Sequence, residues 1–276
     1  MFSSEFGSME KSPFWSGEDA LNRRVLLLRR PERIISLVPS QTELLIDLGL
    51  ASRLVGRTRY CIHPGAKLSN ITDVGGTKRV DFDKIKALQP DFILAEKEET
   101  PKELVDALSR LAPVYVTDVV SIASAISMCR DVGRILGLAH EAQTLALQIE
   151  TMMNDVKNVA SRSERVLYLI WRKPWMAAAE GTFIHSCLEH IGFTNAALGS
   201  SLQITSRYPE LSPDSMVSLY PDRVFLSSEP YPFKESHAQE IRRLLPNAHI
   251  EFVDGELFSW YGSRMLKMPA YWRSLI

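Results

Sequence analysis

The stretch from Arg33 to Leu50, RIISLVPSQTELLIDLGL, constrains the fold more than any other part of the sequence. Ile34, Ile35, Leu37 and Val38 form an apolar, largely β-branched run without clean alternation. That pattern suits a strand covered on both faces, as in a parallel sheet. Pro39 ends the run. Ser40 is placed to cap a helix, and Glu43, three residues on, completes the pattern of a capping box. Leu44, Leu45 and Leu48 give a helical stripe, and Gly49 supplies the stop. The segment therefore predicts a strand, a tight turn at Pro39-Ser40 and a helix. In α/β sheets such turns lie at the carboxyl edge of the strands, where ligands bind.

The same alternation recurs along the chain. Strands are expected at 33–38, 53–56, 91–95 and 113–116, and helices at 40–48, 81–88 and 101–110, so a first block has a mainly parallel sheet. Residues 1–22 are polar and irregular and read as a loose arm; 1–32 as a whole reads as an N-terminal arm with a leading strand. The texture changes over 121–163. SIASAISMCRDVGRILGL predicts an amphipathic helix ended by Gly137. A second helix, 139–162, is free of Gly and Pro and forms a stiff connector rather than a flexible linker. A second α/β block follows, with strands at 165–170, 176–179, 223–227 and 249–253 and helices at 182–191, 212–219, 236–244 and 260–268. The expected organisation is an N-terminal lobe at 33–120, connecting helices at 121–163 and a C-terminal lobe at 164–276.

The two blocks echo each other. VDFDKIKALQPDFILA (80–95) parallels LSPDSMVSLYPDRVFLS (211–227), with Asp83 matching Asp214 and Pro90-Asp91 matching Pro221-Asp222. This points to two lobes of similar build facing each other across a cleft, the kind of place ligands favour.

Bulk properties narrow the function. The chain of 276 residues has 45% hydrophobic and 24% charged residues and a formal net charge of −1. That balance gives no reason to expect nucleic acid or an anionic membrane as partner. No apolar run approaches the roughly 20 residues of a membrane span. VLLL at 25–28 is flanked by arginines and is no secretory signal. These readings predict a cytoplasmic location, or a periplasmic or membrane-associated one if the N-terminus is a processed form; MFSSEFGSM before Met9 resembles vector-derived sequence. Cys61, Cys129 and Cys187 are too widely spaced for a disulfide framework and read as free thiols.

No nucleophile elbow, Walker loop or zinc-protease helix is present, so no catalytic residues are assigned. Gly75-Gly76-Thr77-Lys78 reads as a turn before the helix at 81. Cys61 and His63, at i and i+2, are the most metal-like pair, and His63 alone could serve as an axial ligand to a metal held by a macrocycle. Aromatic residues gather where strands end: Tyr60, Trp171, Trp175, Tyr208, Phe258 and Trp260. Such loops suit a large, flat, partly apolar ligand, and Lys78, Arg172 and Arg264 on the same loops could meet its anionic groups.

Taken together, RIISLVPSQTELLIDLGL, VGRTRYCIHP, VGGTK, LQPDFILAEKEE and DGELFSWYGSR closely resemble the class III periplasmic substrate-binding proteins of ABC importers, nearest the cobalamin-binding branch; relatives carry haem or iron–siderophores. The match covers about residues 33–270. It implies an α/β fold of two three-layer α/β/α lobes, with mainly parallel sheets, joined by one long backbone helix. It further implies a monomer that binds a small metal chelate without catalysis and has no cofactor of its own; the chelate, cobalamin or another, is the cargo. By the resemblance, Tyr60, Thr77, Glu96, Tyr208 and the 256–261 loop fall at the cleft, with the Pro39-Ser40 turn as one lip. Asp83 and Asp214 stand where the family docks on its permease. Thr77 and Glu96 occupy positions where tryptophan occurs in cobalamin binders. The alternative reading is a metal or tetrapyrrole chaperone or enzyme that uses Cys61 and His63.

Overall fold

The computed structural model describes residues 12–157, 164–198 and 206–275. The first sheet is built from β3 (Ile34–Ser36), β4 (Leu54–Arg57), β5 (Thr72–Asp73), β6 (Phe92–Glu96) and β7 (Val114–Thr117), after a hairpin of β1 (Trp15–Glu18) and β2 (Arg24–Leu27). Its order is β5-β4-β3-β6-β7, and every pairing is parallel. The apolar strands fill both faces, as their lack of alternation requires: Ile34, Ile35, Phe92, Ile93 and Leu94 are fully buried. Helices α1 (Pro39–Asp47), α2 (Phe82–Leu88) and α3 (Lys102–Leu108) carry the chain between these strands.

Two helices lead to the second lobe, α4 (Ile122–Leu136) and α5 (Ala139–Asn154). Ser121 caps α4 through a capping box with Ser124, and Gly137, at φ 72°, ends it in the left-handed region. The two helices approach so closely that a Cβ on Gly133 would lie 2.1 Å from that of Ala142. Helix α5 runs unbroken through Leu147 but stops at Asn154, short of the 162 expected, where low-propensity Asn and Asp follow one another. Residues 158–162 of that expectation lie outside the described residues.

The second sheet contains β8 (Arg165–Trp171), β9 (Trp175–Ala177), β10 (Thr194–Asn195), β11 (Glu210–Leu211), β12 (Arg223–Ser227) and β13 (His249–Val253). Its order is β11-β9-β8-β12-β13, with β10 beside β8. The β8, β10, β12 and β13 pairings are parallel and those of β9 antiparallel, so the sheet is mainly parallel as predicted. Helices α6 (Phe183–His190), α7 (Pro213–Ser218) and α8 (Glu235–Leu244) flank it. The chain closes with α9 (Glu256–Ser259), a 3₁₀ turn at Gly262–Leu266 and α10 (Met268–Arg273). In place of the single helix expected at 260–268 stand the 3₁₀ turn and the start of α10. Gly262, at φ 79°, breaks it where the chain packs against the Ser40 carbonyl.

The sequence echo is a structural one. Gln89 and Tyr220 both adopt the left-handed conformation, at φ 46° and 45°, directly before the matched prolines. Asp91 then accepts the Arg33 backbone N–H at 2.8 Å, and Asp222 accepts that of Arg165 at 2.8 Å. Each aspartate ties the start of its strand to the first strand of its lobe.

Two other expectations are corrected. Residues 12–22 are not a loose arm: Trp15 packs edge-on to Tyr115, and buried Asp19 accepts the backbone N–H groups of Leu21 and Arg23. Nor does Ser40 cap α1. Pro39 already occupies the first helical turn, Val38 is the N-cap and no side chain caps it. Proline fits there because it has no N–H to leave unpaired.

One apolar cluster runs through both lobes. It joins Leu44 and Leu45 of α1 and Ile135 and Ile149 of the connecting helices to Tyr168, Phe225, Phe258 and Trp272.

Candidate functional site

The carboxyl ends of both sheets face a common boundary, and the loops leaving them meet there. Glu43 of α1 is 3% exposed and Arg264 of the 3₁₀ turn is 6% exposed. Arg264 donates to Glu43 through Nε at 2.7 Å and Nη2 at 3.0 Å, a bidentate pair across the lobes. Its remaining nitrogen, Nη1, donates to Glu256 at 2.6 Å. Lys267 reaches the same Glu43 at 3.2 Å. His63, from the loop after β4, places Nε2 3.0 Å from Oε1 of Glu256.

Trp260 lies at the centre of these groups. The Arg264 guanidinium sits 4.8 Å from its ring centroid, and His63 meets the indole edge-on at 5.3 Å. Its N–H donates to Glu229 at 2.7 Å, an acceptor also used by Ser259. Burial pushes the Glu229 carboxyl up, against those two hydrogen bonds.

A second group occupies another part of the boundary. Glu96, at the end of β6, is 3% exposed and accepts the backbone N–H groups of Glu98 and Glu99 at 2.8 and 3.0 Å. Those bonds favour the carboxylate, but burial outweighs them and raises the group to about 7. Tyr208 of the second lobe donates its hydroxyl to Glu98; burial, with the charge of Glu98, pushes the phenol up. Burial also pushes up Tyr261, with Glu96, Glu99 and Glu98 adding to it. Arg207 faces Asp118 at 4.0 Å, and Lys97 holds the same carboxylate at 2.8 Å. Gln41, fully buried, donates to Thr117, whose hydroxyl donates onward to the Ala95 carbonyl. That fixes the amide orientation, and among the described residues Gln41 Oε1 has no hydrogen-bond partner.

The structure distributes the predicted site residues unevenly. It brings together His63, Trp260 and Arg264, and separately Glu96 with Tyr208. Tyr60, 55% exposed, lies over the turn at Gly76, beside buried Thr77 and exposed Lys78. Pro39 and Ser40 start α1, but Ser40 is 4% exposed beneath the 262 turn. Phe258 is fully buried against Tyr168, Phe225 and Trp272, so it supports the Trp260 loop from below. Trp175 is buried in the second lobe's own core, stacked on Phe233 and covered by Arg172, whereas Trp171 stays 39% exposed and meets Tyr231. Asp83 and Asp214 each sit in the first turn of their helix, and both are exposed.

Sequence reading missed Glu43, Glu229, Glu98 and Gln41 as site residues, while Glu256 lay within the 256–261 loop already expected at the cleft. It read Glu43 as half of a capping box. Only the crowding of charged groups into apolar segments, Glu43 within QTELLI above all, signalled partners elsewhere in the fold.

Cys61 and His63 do not form a metal pair. The Cys61 thiol is 1% exposed and lies within hydrogen-bond distance of Thr42 and Thr58, while His63 engages Glu256. Burial pushes that thiol up, away from the thiolate a metal needs. Among the described residues no group of three or more His, Cys, Asp or Glu could hold a metal ion.

The family profile described as periplasmic binding protein matches residues 34–248. The chain belongs to this family. It is 26% identical over 218 residues to an uncharacterized ABC transporter substrate-binding lipoprotein of Bacillus subtilis, covering 75% of this chain and 67% of that one. It is 27% identical over 214 residues to a cobalamin-binding protein of Halobacterium salinarum, covering 75% of this chain but only 56% of the relative. Solved structures share the fold. The periplasmic vitamin B12 binding protein of Vibrio cholerae superposes with a TM-score of 0.72 at 20% identity, over 87% of this chain and 94% of that one. A periplasmic haem-binding protein holding two haems gives 0.75 at 18% identity, over 89% and 97%. The two-lobe α/β architecture with a helical connector is thus that of the class III periplasmic binding proteins. Among the described residues no helix is long and apolar enough to cross a membrane.

Proposed function

We propose that this chain is a substrate-binding protein that holds a corrinoid or related metal chelate between its lobes, as the receptor of an ABC importer or a paralogue of one. The observation that carries the reading is the meeting of Trp260, Tyr261 and Tyr208 of the second lobe with His63, Glu96 and Glu98 of the first at the boundary between the lobes, within a family of binding proteins. Aromatic faces suit a flat macrocycle, and carboxylates and amides around them suit its polar periphery. The chelate is cargo rather than a resident cofactor, and nothing in this reading calls for catalysis by the protein. Relatives named for cobalamin, and fold neighbours named for vitamin B12 and haem, favour tetrapyrrole-like ligands.

Calorimetric titration with cobalamin, cobinamide, haem and ferric siderophores tests the reading. Tyr208→Ala and Tyr60→Ala should each weaken the tightest of these by about 1–3 kcal/mol, the range for a lost aromatic contact. Unchanged binding by both folded variants would remove the boundary from consideration as the ligand site.

Asp83 and Asp214 support the receptor form of the proposal. Each is an exposed first-turn carboxylate in a matched half of the chain. The bland role of such a residue is a favourable helix-end charge, worth roughly 0.3–1 kcal/mol. In the receptor reading the pair meets basic sockets on a permease, where charge pairing governs association rate and salt sensitivity. The Asp83→Ala, Asp214→Ala double variant should keep its ligand affinity and lose salt-sensitive binding to the permease. Retained binding in the double variant would leave the two acids as helix-end charges only.

A further inference from the structure

The boundary between the lobes is bridged twice by the same short segment. At one end Arg264 is locked to Glu43 with both partners buried. At the other, Glu256 holds His63 at 3.0 Å, with the two side chains still 35% and 21% exposed. Between these anchors the Trp260 ring is covered by Arg264 and met by His63, so only 7% of the residue reaches solvent.

The two anchors are physically unequal. A buried bidentate pair resists separation, because parting it strands two charges in a poorly solvated interior. A half-exposed pair is solvated as it opens and holds weakly. The segment therefore has a fixed end at Glu43 and a releasable end at His63. Glu256 links them, since Arg264 also holds it at 2.6 Å.

We infer that residues 256–264 form a strap across the cleft, closed through His63, which keeps the Trp260 face covered until ligand entry parts His63 from Glu256. His63 is thereby a positioning residue: it acts through Trp260 and Glu256. The inference rests on the proposed ligand cleft for its role in uptake, but the strap itself can be read without any ligand.

The test compares the wild type with His63→Ala in the full chain. Amide hydrogen exchange of peptides within 256–262 should quicken by about fivefold in the variant, as for a local opening made easier, while exchange in β3 and β6 stays unchanged. Acrylamide quenching of Trp260, isolated by difference against a Trp260→Phe chain, should rise in parallel. Stopped-flow association of cyanocobalamin should also accelerate by about fivefold if closure limits entry. Unchanged exchange and quenching at 256–262 overturn the strap, whatever the ligand result. Faster exchange with no binding of any ligand in the titration panel leaves the strap standing and overturns the proposed function. Faster exchange with cyanocobalamin binding at an unaltered rate overturns the strap's role in entry.

Discussion

Replacing Arg264 with Met should cost about 3–5 kcal/mol of unfolding free energy, the range for removing one partner of a buried ion pair. The loss follows from what is left behind rather than from the strength of the pair. Glu43 is 3% exposed, and without Arg264 only Lys267, at 3.2 Å, compensates its charge. That residual contact places the expected loss toward the lower end. Glu256 loses a donor as well, and Trp260 loses the guanidinium above its ring. Met preserves much of the aliphatic volume, so cavity formation contributes little. Urea denaturation measures the change. One transition is expected, because a single apolar cluster runs from α1 through the connecting helices to Phe258 and Trp272. The Glu43→Gln, Arg264→Met double variant should recover a substantial part of the loss, since it removes the stranded charge. A single-variant cost under about 1 kcal/mol, the usual worth of a solvated pair, would mean that water reaches this boundary far more freely than its burial indicates.

The same residue shows where sequence reading reached its limit. Arg264 was identified as a cleft residue from DGELFSWYGSR, but its partner was read as part of a helix cap. The capping pattern is satisfied locally by any Glu three residues after a Ser. The real partnership spans 221 positions, which no local pattern encodes. The longer strands and helices of both blocks were legible as apolar runs with stop or capping signals; the two-residue strands β5, β10 and β11 were not. Nor was the β1–β2 hairpin, since its strands are only four residues each, and the hairpin gains its order from Asp19 and Tyr115. The closing segment reads as one helix because 260–268 contains no proline and a single glycine, Gly262. The break there comes from packing against α1, a tertiary demand. The Asp83 and Asp214 match, by contrast, was visible because both halves repeat the same acid, stop and strand.

The second large effect concerns pH and rests on Glu96. Its folded-state value, raised by burial to about 7, stands above the ordinary value of 4.5. The folded chain therefore holds a proton that the unfolded chain has released between those two values. Stability contributed by this group is fully present below pH 4.5 and is lost as pH rises toward about 7, after which the loss is constant. Over that window the loss amounts to on the order of 3 kcal/mol, about 1.4 kcal/mol for each of the roughly 2.5 pH units. Glu98 and Glu229 are shifted in the same direction, also chiefly by burial, and add to the slope. Glu96→Gln isolates the term. The amide oxygen can still accept from the N–H groups of Glu98 and Glu99, and a neutral group pays no charge burial at any pH. The variant should match the wild type near pH 4.5 and exceed it in stability by roughly 3 kcal/mol at pH 8, less whatever the weaker neutral hydrogen bonds forfeit. Urea titrations between pH 5 and pH 8 give both slopes. A variant whose stability falls with pH as steeply as the wild type, or that is weaker at pH 8, would show that the two backbone N–H groups, and not burial, dominate at Glu96. The ionised carboxylate would then be the resting form at this part of the boundary between the lobes.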